Sequence, residues 1–324
     1  MTITEITATS LDDEQADSKF HNLVRRLSHQ SVVKHFDAYA DIEWDAPHMA
    51  IDLTDPRFEL ASDSPLGATA WYRSLPQETR ARIGLHGIVS NMKAGLQFES
   101  ILKRGLLEYA FLLPDHSPEF RYAYHEVIEE AQHSLMFQEF VNRSGLDVPG
   151  LSWDLKFGAR RVIWMARHFP AMFFVFVLGG EDPIDHVQRE VLRSNDDIHP
   201  LLERIMRIHV TEEASHLSFA RQYLRNTVPK LPRWKRTAIS IQAPVTLAIM
   251  ASVMLRPPRH LVKAYDIPKE ALDEAYGPGS AGPQEVRDSL RKVRTLLVDL
   301  GLVTPMSTRL WKRFGIWDEP AATA

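Results

Sequence analysis

The sequence of 324 residues is 44% hydrophobic and 25% charged, the composition of an ordinary soluble globular protein with one large domain or two small ones. The net charge of -4 shows no excess of basic residues of the kind that binds nucleic acid, so nucleic acid is not an expected partner. The absence of cysteine excludes disulfides, thiolate metal sites, iron–sulfur clusters and a cysteine nucleophile, and it is compatible with a cytoplasmic location.

The N-terminus and one apolar segment bear on location and domain organisation. Residues 1–18 are polar and acidic, which predicts a disordered tail and not a signal peptide. Residues 19–324 are predicted to form a single all-helical domain. Ala238 to Leu255 approaches membrane-spanning length but is interrupted by polar residues and by Pro244. This segment is predicted to be a buried helix and not a transmembrane one, with peripheral membrane contact left open.

Proline and glycine positions divide the chain into helices. The proline-free segment from Pro76 to Leu113 predicts one long helix, which Pro114 stops. Ser117 provides a cap for the next helix, and Gly145 provides its end. Nothing in the sequence predicts a strand. The other predicted helices cover about 20–36, 117–143, 153–168, 171–193, 200–228, 233–255, 268–275, 284–299 and 306–314.

An E-x-x-H motif occurs twice in the predicted helices, as Glu130-Ala-Gln-His133 and as Glu213-Ala-Ser-His216. Residues three or four apart share one face of a helix, so each motif points a carboxylate and an imidazole in one direction. His209 lies on the same face as the second motif, one turn before it. Taken alone, such a set of residues fits either a metal site or a polar face exposed to solvent.

The spacing across the two predicted hairpins adds one carboxylate from each hairpin. The first E-x-x-H motif lies about 16 residues beyond the centre of the loop at 114–117, and Glu99 lies at the same distance before it. Glu213 lies about 16 residues beyond the centre of the loop at 194–200, and Glu181 lies at the same distance before it. In antiparallel helices, residues equidistant from the loop lie at the same height. Each motif is therefore level with a glutamate of the neighbouring helix.

Two such hairpins predict a four-helix bundle over about residues 76–228. The bundle would bring four glutamates and two histidines to one buried point, which is the arrangement of ferritin-like sites for two iron or manganese ions. Four buried, unpaired carboxylates are costly, so cations are needed to hold them there. His209 is either a seventh ligand or a hydrogen-bond donor behind the ligands.

A resemblance to a known family rests on seven residues and their spacing. The pattern reads, in chain order, Glu99, Glu130-x-x-His133, Glu181 and His209-x-x-x-Glu213-x-x-His216. It resembles the di-iron arylamine N-oxygenase family, which includes the enzyme that makes p-nitrobenzoate from p-aminobenzoate. The additional histidine distinguishes this family from ordinary ferritin-like sites. Residues 35–47 also resemble the N-terminal region of actinobacterial-type members, and the similarity runs from about residue 20 to about 230.

The resemblance implies an all-α, ferritin-like four-helix bundle with a dinuclear metal site and additional N- and C-terminal helices. The seven residues would be the metal ligands of two iron ions, with manganese or a mixed pair left open. The reduced centre would take up O2 as a peroxo adduct and transfer oxygen to the amine nitrogen of a small-molecule substrate. An external reductase or ferredoxin would supply electrons, and a homodimer is left open.

The candidate substrate pocket is defined by apolar side chains near the site, which are Met92, Phe98, Phe137 and Phe174. Aromatic residues at helical spacing are also typical of an ordinary core. Ala94 and Gly95 precede Glu99 by about one turn, where a cation would be expected to anchor a benzoate. The absence of that cation favours a larger or more apolar substrate.

Three other functions use related folds. A hydroxylase or desaturase acting on a lipid or acyl substrate has the same metal chemistry and is the main enzymatic alternative. A ferritin-like metal-binding protein is the non-enzymatic alternative, although the residues outside the bundle favour a substrate pocket. A radical-generating reductase subunit would need a tyrosine one turn after the first E-x-x-H motif. Phe137 occupies that position, which argues against this class.

Overall fold

Helices form the framework of the protein. The computed structural model describes residues 3–194 and 197–318, and no strand occurs in them, so the all-α prediction is confirmed. In chain order the helices are α1 Ile3–Val33, α2 Ala70–Ser74, α3 Gln77–Ala110, α4 Pro118–Ser144, α5 Trp153–His168, α6 Pro170–Arg193, α7 Pro200–Thr227, α8 Arg233–Leu255, α9 Arg259–Ala264, α10 Lys269–Tyr276, α11 Ala281–Ser289, α12 Arg291–Asp299 and α13 Pro305–Arg313. Short 3-10 turns occur at Pro47–Met49, Pro56–Phe58 and Val228–Lys230.

Helices α3, α4, α6 and α7 form a ferritin-like four-helix bundle made of two hairpins. The predicted helix ends are confirmed where local chemistry fixes them. The Ser117 hydroxyl accepts the backbone N–H of Phe120 at 3.2 Å, which caps α4. Gly145 ends α4 with a φ of 66°, a left-handed conformation that costs glycine little. The loop between α6 and α7 includes residues 195 and 196, which lie outside the described residues.

The polar middle of the bundle lies between two separate apolar clusters. The beginning of α4 contributes Tyr122 to one cluster, and its end contributes Phe140 to the other. Helix α7 runs the opposite way, so Leu201 belongs to the second cluster and Phe219 to the first. Both E-x-x-H motifs therefore occupy the central turns of their helices. Water is kept from this level of the bundle by apolar packing on both sides.

Helix α1 extends across part of the predicted disordered tail, since the structure gives it an N-terminus at Ile3. The segment contains no proline or glycine to interrupt a helix. The Asp17 carboxylate accepts hydrogen bonds from Asn226 Nδ2 at 3.0 Å and Lys230 Nζ at 2.6 Å. The end of the predicted tail is therefore held against the end of α7. The extent of the single domain, 19–324, stays a prediction.

The C-terminal helices cover α6. Helix α8 buries one face, which includes Leu247, against α6 and α13, while Val245 and Ile249 remain exposed. The segment Arg233–Ala264, which contains α8, is long and apolar enough to cross a membrane by length and composition alone. Only one third of its most apolar 18-residue window is buried, so α8 is not the fully buried helix that the sequence predicted. The absence of a transmembrane segment stays a prediction.

Two details of the C-terminal region differ from the sequence prediction. The single helix predicted over 284–299 is wrong, because the structure has α11 and α12, with a break at the fully buried Leu290. Helix α9 was also not predicted. It begins directly after Pro258, whose extended backbone makes it the residue that precedes the first turn. Both differences arise where packing against the bundle, and not a proline or glycine signal alone, sets the helix ends.

Candidate metal centre

Seven buried side chains from all four bundle helices converge at the middle of the bundle. They fall into four overlapping groups, and within each group the candidate ligand atoms lie within 4.8 Å of one another. None of the seven residues is more than 2% exposed. They are Glu99 from α3, Glu130 and His133 from α4, Glu181 from α6, and His209, Glu213 and His216 from α7. The structure thus brings together all seven residues that the sequence analysis selected.

Glu130 and Glu213 lie at the centre of the group. Glu130 approaches Nδ1 of His133 at 3.2 Å and Nδ1 of His216 at 3.1 Å. Glu213 approaches Nδ1 of His216 at 3.0 Å, Nδ1 of His133 at 3.6 Å and Nε2 of His209 at 3.9 Å. Each of these two carboxylates therefore faces histidines of both E-x-x-H helices. This placement suits carboxylates that bridge two metal ions.

His209 lies on the same side of the cluster as His133. Their ring centroids are 4.7 Å apart, whereas His133 and His216 are separated by 6.0 Å. His209 Nε2 also lies 3.8 Å from Glu99 Oε1. Glu99, His133 and His209 form one compact group, and Glu181, His209 and Glu213 form another, so His209 lies within ligand distance of carboxylates from α3, α6 and its own helix.

Each of the three histidines has its outer ring nitrogen hydrogen-bonded. His133 Nε2 lies 2.8 Å from Glu212 Oε2, and His216 Nε2 lies 2.7 Å from Glu129 Oε2. His209 Nδ1 lies 2.9 Å from Gln188 Oε1. When the imidazole is neutral, its outer nitrogen can donate its proton to this oxygen. The inner nitrogen would then direct a lone pair at the cluster, which is the tautomer that a metal ligand needs.

Glu129 and Glu212 are functional residues that the sequence analysis did not select. Each is the first glutamate of an E-E-x-x-H sequence, and each bonds to the histidine on the opposite helix. The doubled glutamate, present in both motifs, was the signal that could have identified them. Gln188 had no comparable signal, because its contact with His209 depends on how α6 packs against α7.

Burial shapes the protonation of the cluster. Burial raises the pKa of Glu99 well above its usual range, and the neighbouring Glu130 raises it further. Burial and the charge of Glu213 raise the pKa of Glu181 in the same way. Burial alone would lower the pKa of His133, but hydrogen bonds to carboxylates raise it to about 10. Without cations the site therefore retains protons, because four adjacent buried carboxylates cannot all ionise.

The donor set fits two divalent cations. One oxygen of each candidate ligand glutamate is buried without a hydrogen-bond partner and so has a free lone pair; these are Glu99 Oε2, Glu130 Oε1, Glu181 Oε1 and Glu213 Oε2. Lys103 does not neutralise these oxygens through a hydrogen bond, because its ammonium donates to the carbonyl of Glu130 at 2.9 Å and to the neighbouring Ser134 hydroxyl. Carboxylate and imidazole donors without thiolates are suited to iron or manganese.

The four predicted pocket residues are all buried and divide between the two apolar clusters. Phe137 lies beside the site, with its ring centroid 5.4 Å from that of His209, and Met92 belongs to the same apolar cluster. Phe98 fills the space over Gly180, where a Cβ atom would lie 2.0 Å from its ring. Phe174 packs among the aromatic residues of the other cluster. A shared pocket for these four residues stays a prediction.

The hydrogen bonds behind the histidines can be tested by substitution. Glu129→Ala and Glu212→Ala should each weaken metal binding by about 10- to 100-fold, because His216 or His133 loses the acceptor that orients its ring. The glutamine variants should recover part of this loss, since an amide oxygen still accepts. Glu203→Ala, a change at a half-buried residue in the first turn of α7 that pairs with Arg207 and not with the cluster, serves as the control. Equal metal affinities in all variants, measured by competition with a chelator, would contradict this role.

The fold and the site together define a ferritin-like protein with a candidate dinuclear metal centre. The chain belongs to the p-aminobenzoate N-oxygenase AurF family, whose model matches residues 17–301. It is 40% identical over 309 residues to the uncharacterized proteins Rv0885 of Mycobacterium tuberculosis and Mb0909 of Mycobacterium bovis, covering 95% of this chain and 91% of each relative. No solved structure matches the chain. The family resemblance seen in the sequence is confirmed.

Proposed function

We propose that the protein is a non-haem di-iron oxygenase that transfers oxygen from O2 to the nitrogen of a small amine, most simply an arylamine. The observation that supports this proposal best is the third imidazole. His209 lies with Glu99 and His133 in one compact group, in a chain that belongs to an N-oxygenase family. A ferritin-like site with two E-x-x-H motifs alone would lack it.

The side chains divide between holding metal and controlling its surroundings. Glu99, His133 and His209 would hold one ion, and His216 with Glu130 and Glu213 would hold the other. Glu181 lies within reach of ligand atoms of both groups. The central Glu130 and Glu213 would contact both. When bound, the metal pair supplies the electrons for the reduction of O2. The chain keeps the ligands oriented, excludes water through the two apolar clusters, and retains protons on carboxyl groups whose pKa burial raises.

The stoichiometry of the reaction requires a partner. Oxygenation of an amine to a hydroxylamine places one oxygen atom of O2 on nitrogen and reduces the other to water, which consumes two electrons and two protons. The sequence offers no nucleotide-binding motif in a strand–helix context to hold a flavin or nicotinamide. An external reductase or ferredoxin is therefore part of the proposal, and a manganese-containing centre is the alternative metal content.

One observation favours the acyl hydroxylase or desaturase as a second candidate. Phe137 places an apolar ring beside His209, and Phe98 packs against Gly180, next to Glu181. The half-buried Lys103 is already bonded to the backbone carbonyl of Glu130. A substrate carboxylate would find no ready partner in these residues. A neutral arylamine and an acyl chain both suit such surroundings better than p-aminobenzoate does.

A single-turnover experiment distinguishes these functions. The iron-loaded protein is reduced without oxygen, mixed with aniline, p-aminobenzoate or a fatty acid, and exposed to 18O2. We expect an 18O-labelled hydroxylamine, nitroso or nitro product from an arylamine, with aniline better than p-aminobenzoate. A labelled hydroxy acid would favour the second candidate, and no organic product would favour a metal-binding protein. Glu213→Ala, which lacks a central ligand, should yield no labelled product, whereas Glu203→Ala should react normally.

A further inference from the structure

Helix α5 has an unusually apolar outer face. Its packed side is narrow and consists of small or branched residues, with Ala159, Val162 and Ala166 buried. Its outer side carries Trp153 at 79% exposure, Phe157 at 64% and Trp164 at 59%. Large aromatic side chains at these exposures are costly in water, and a single helix with three of them presents a contiguous apolar surface.

The exposed aromatic residues form a stripe with basic residues on both sides. At about 100° for each residue, positions 153, 157 and 164 fall within an arc of about 40°. Lys156 and Arg160 lie on one side of this arc, and Arg161 lies on the other. All three basic side chains are exposed. Helix α5 as a whole contains four Lys or Arg residues against one Asp, although the chain carries a net charge of -4.

Neighbouring helix ends continue the same surface. Phe111, just beyond the end of α3, is 72% exposed, and the guanidinium of Arg167 on α5 lies 5.2 Å from its ring centroid. Trp234, in the first turn of α8, is 66% exposed. Lys235 Nζ lies 5.5 Å from the rings of both Trp234 and Phe169, which places this turn beside the end of α5. Aromatic and basic residues thus alternate over three elements.

We propose that this aromatic–basic face, defined by Phe111, Trp153, Phe157, Trp164 and Trp234 with the basic residues between them, binds the surface of an anionic lipid bilayer. An amphipathic helix with tryptophan and phenylalanine on one stripe and cations beside it lies in the plane of the lipid headgroups. Tryptophan prefers that interface, and each Lys or Arg is attracted to anionic lipid.

The positive charge and the shape of the aromatic–basic face favour a bilayer over two other partners, a second copy of the chain and an acidic protein. A second copy of the chain would place the same cationic flanks opposite each other, and this like-charge contact would oppose a symmetric dimer through α5. An acidic protein would satisfy the cations, but it would need a concave surface to receive the ridge of three protruding aromatic side chains. A fluid headgroup layer receives such a ridge without a matched shape. The face lies outside the candidate metal centre and does not depend on the proposed reaction.

Vesicle binding tests the inference directly. The full-length, metal-loaded protein is mixed with vesicles of phosphatidylcholine alone or with about 30% phosphatidylglycerol, and bound protein is measured by flotation. We expect binding to the anionic vesicles only, and loss of binding when NaCl is raised to about 1 M. Arg160→Gln and Arg161→Gln should each lower the partition coefficient about fivefold. Trp153→Ala and Trp164→Ala should each lower it about tenfold.

The controls distinguish binding through the aromatic–basic face from nonspecific adsorption to vesicles. Tyr124→Ala removes an exposed aromatic side chain from α4, away from the aromatic–basic face, and should leave partitioning unchanged. Equal binding of all variants, binding to neutral vesicles at the same affinity, or no vesicle binding would each overturn the inference. It would also be overturned if Trp164→Ala converted a dimer to a monomer in light scattering, since a second copy would then occupy this face. Circular dichroism and metal content establish that each variant is folded.

Discussion

Removal of the metal ions is expected to destabilise the folded protein, and the loss should grow as the pH rises. The structure buries the four candidate ligand glutamates within one cluster, and one oxygen of each has no hydrogen-bond partner. A ligand bound only to the folded state stabilises it by about 4 kcal/mol at a thousandfold excess over its Kd. Two ions should therefore raise the Tm by on the order of 10 °C or more.

The pH dependence follows from the direction of the pKa shifts. Glu99 and Glu181 have raised pKa values in the folded protein, so the unfolded chain releases these protons first, above about pH 4.5. The metal-free protein then loses stability as pH rises toward the folded pKa values. His133, with a pKa raised to about 10, acts in the same direction: its contribution is complete below about pH 6.5 and is lost toward pH 10.

Thermal unfolding between about pH 5 and pH 8, with and without iron, measures both effects. The metal-loaded protein should contain two iron ions per chain, and its Tm should depend little on pH, because the cations keep the carboxylates ionised. A stoichiometry of one ion or none, or a metal-free Tm that does not fall with pH, would contradict a dinuclear site built from these residues.

Glu181→Gln provides a matched test within the same experiment. The amide keeps the shape of the side chain but cannot ionise. It should therefore raise the Tm of the metal-free protein at about pH 8, where the glutamate is most costly. The same change should lower the Tm of the iron-loaded protein, because an anionic ligand is lost. This opposite sign in the two states distinguishes a metal ligand from a carboxylate that only stabilises the fold.

His209→Ala is expected to remove one metal ion and to abolish oxygenation. His209 Nε2 lies 3.8 Å from Glu99 Oε1, and its ring is 4.7 Å from that of His133. Loss of this imidazole should weaken the ion held by Glu99 and His133 and leave the other ion in place. Iron content should fall from two ions per chain to about one, and the single-turnover yield should fall by at least about 100-fold.

Two companion variants show whether His209 acts as a ligand. His29→Ala removes an exposed histidine of α1 and should change neither iron content nor yield. Gln188→Leu removes the acceptor of the His209 Nδ1–H bond and should give an intermediate loss of iron, because the ring is kept but no longer oriented. If His209→Ala retains two iron ions and full activity, the residue is not a ligand, and the proposed N-oxygenase function loses its main support.

The sequence predicted the bundle well because its local signals agree with one another. Ser117 and Gly145 fix the two ends of α4 through backbone chemistry that acts within a few residues. Helix α3 ends at Ala110, three residues before the predicted end at Leu113. The equal spacing of Glu99 and Glu181 from their loops selected two carboxylates that the structure brings into the cluster, since helical rise is constant along an antiparallel pair. Where such signals were absent, as in residues 284–299, the predicted division into helices failed.

The partners of the three histidines could not be read from the sequence with the same certainty. Glu129 and Glu212 adjoin the metal-binding motifs, but their bonds cross from α4 to α7 and depend on how the two hairpins are rotated against each other. Gln188 reaches His209 from a third helix. A side-chain hydrogen bond requires atoms to meet within a few tenths of an ångström, and helical periodicity does not set distances between helices that closely.

By itself, then, the sequence determined the all-helical bundle, the seven converging residues and the family, because periodicity and spacing follow from constant helix geometry. Only the tertiary structure decided which imidazole nitrogen faces the cluster and which histidines lie in one compact group with Glu99. It also decided that the aromatic side of α5 faces outward: Trp153, Phe157 and Trp164 lie on one stripe in any helix, but packing of the opposite side against α3 and α6 leaves them exposed. Which face of a helix is buried depends on its neighbours, and these are set by the whole chain.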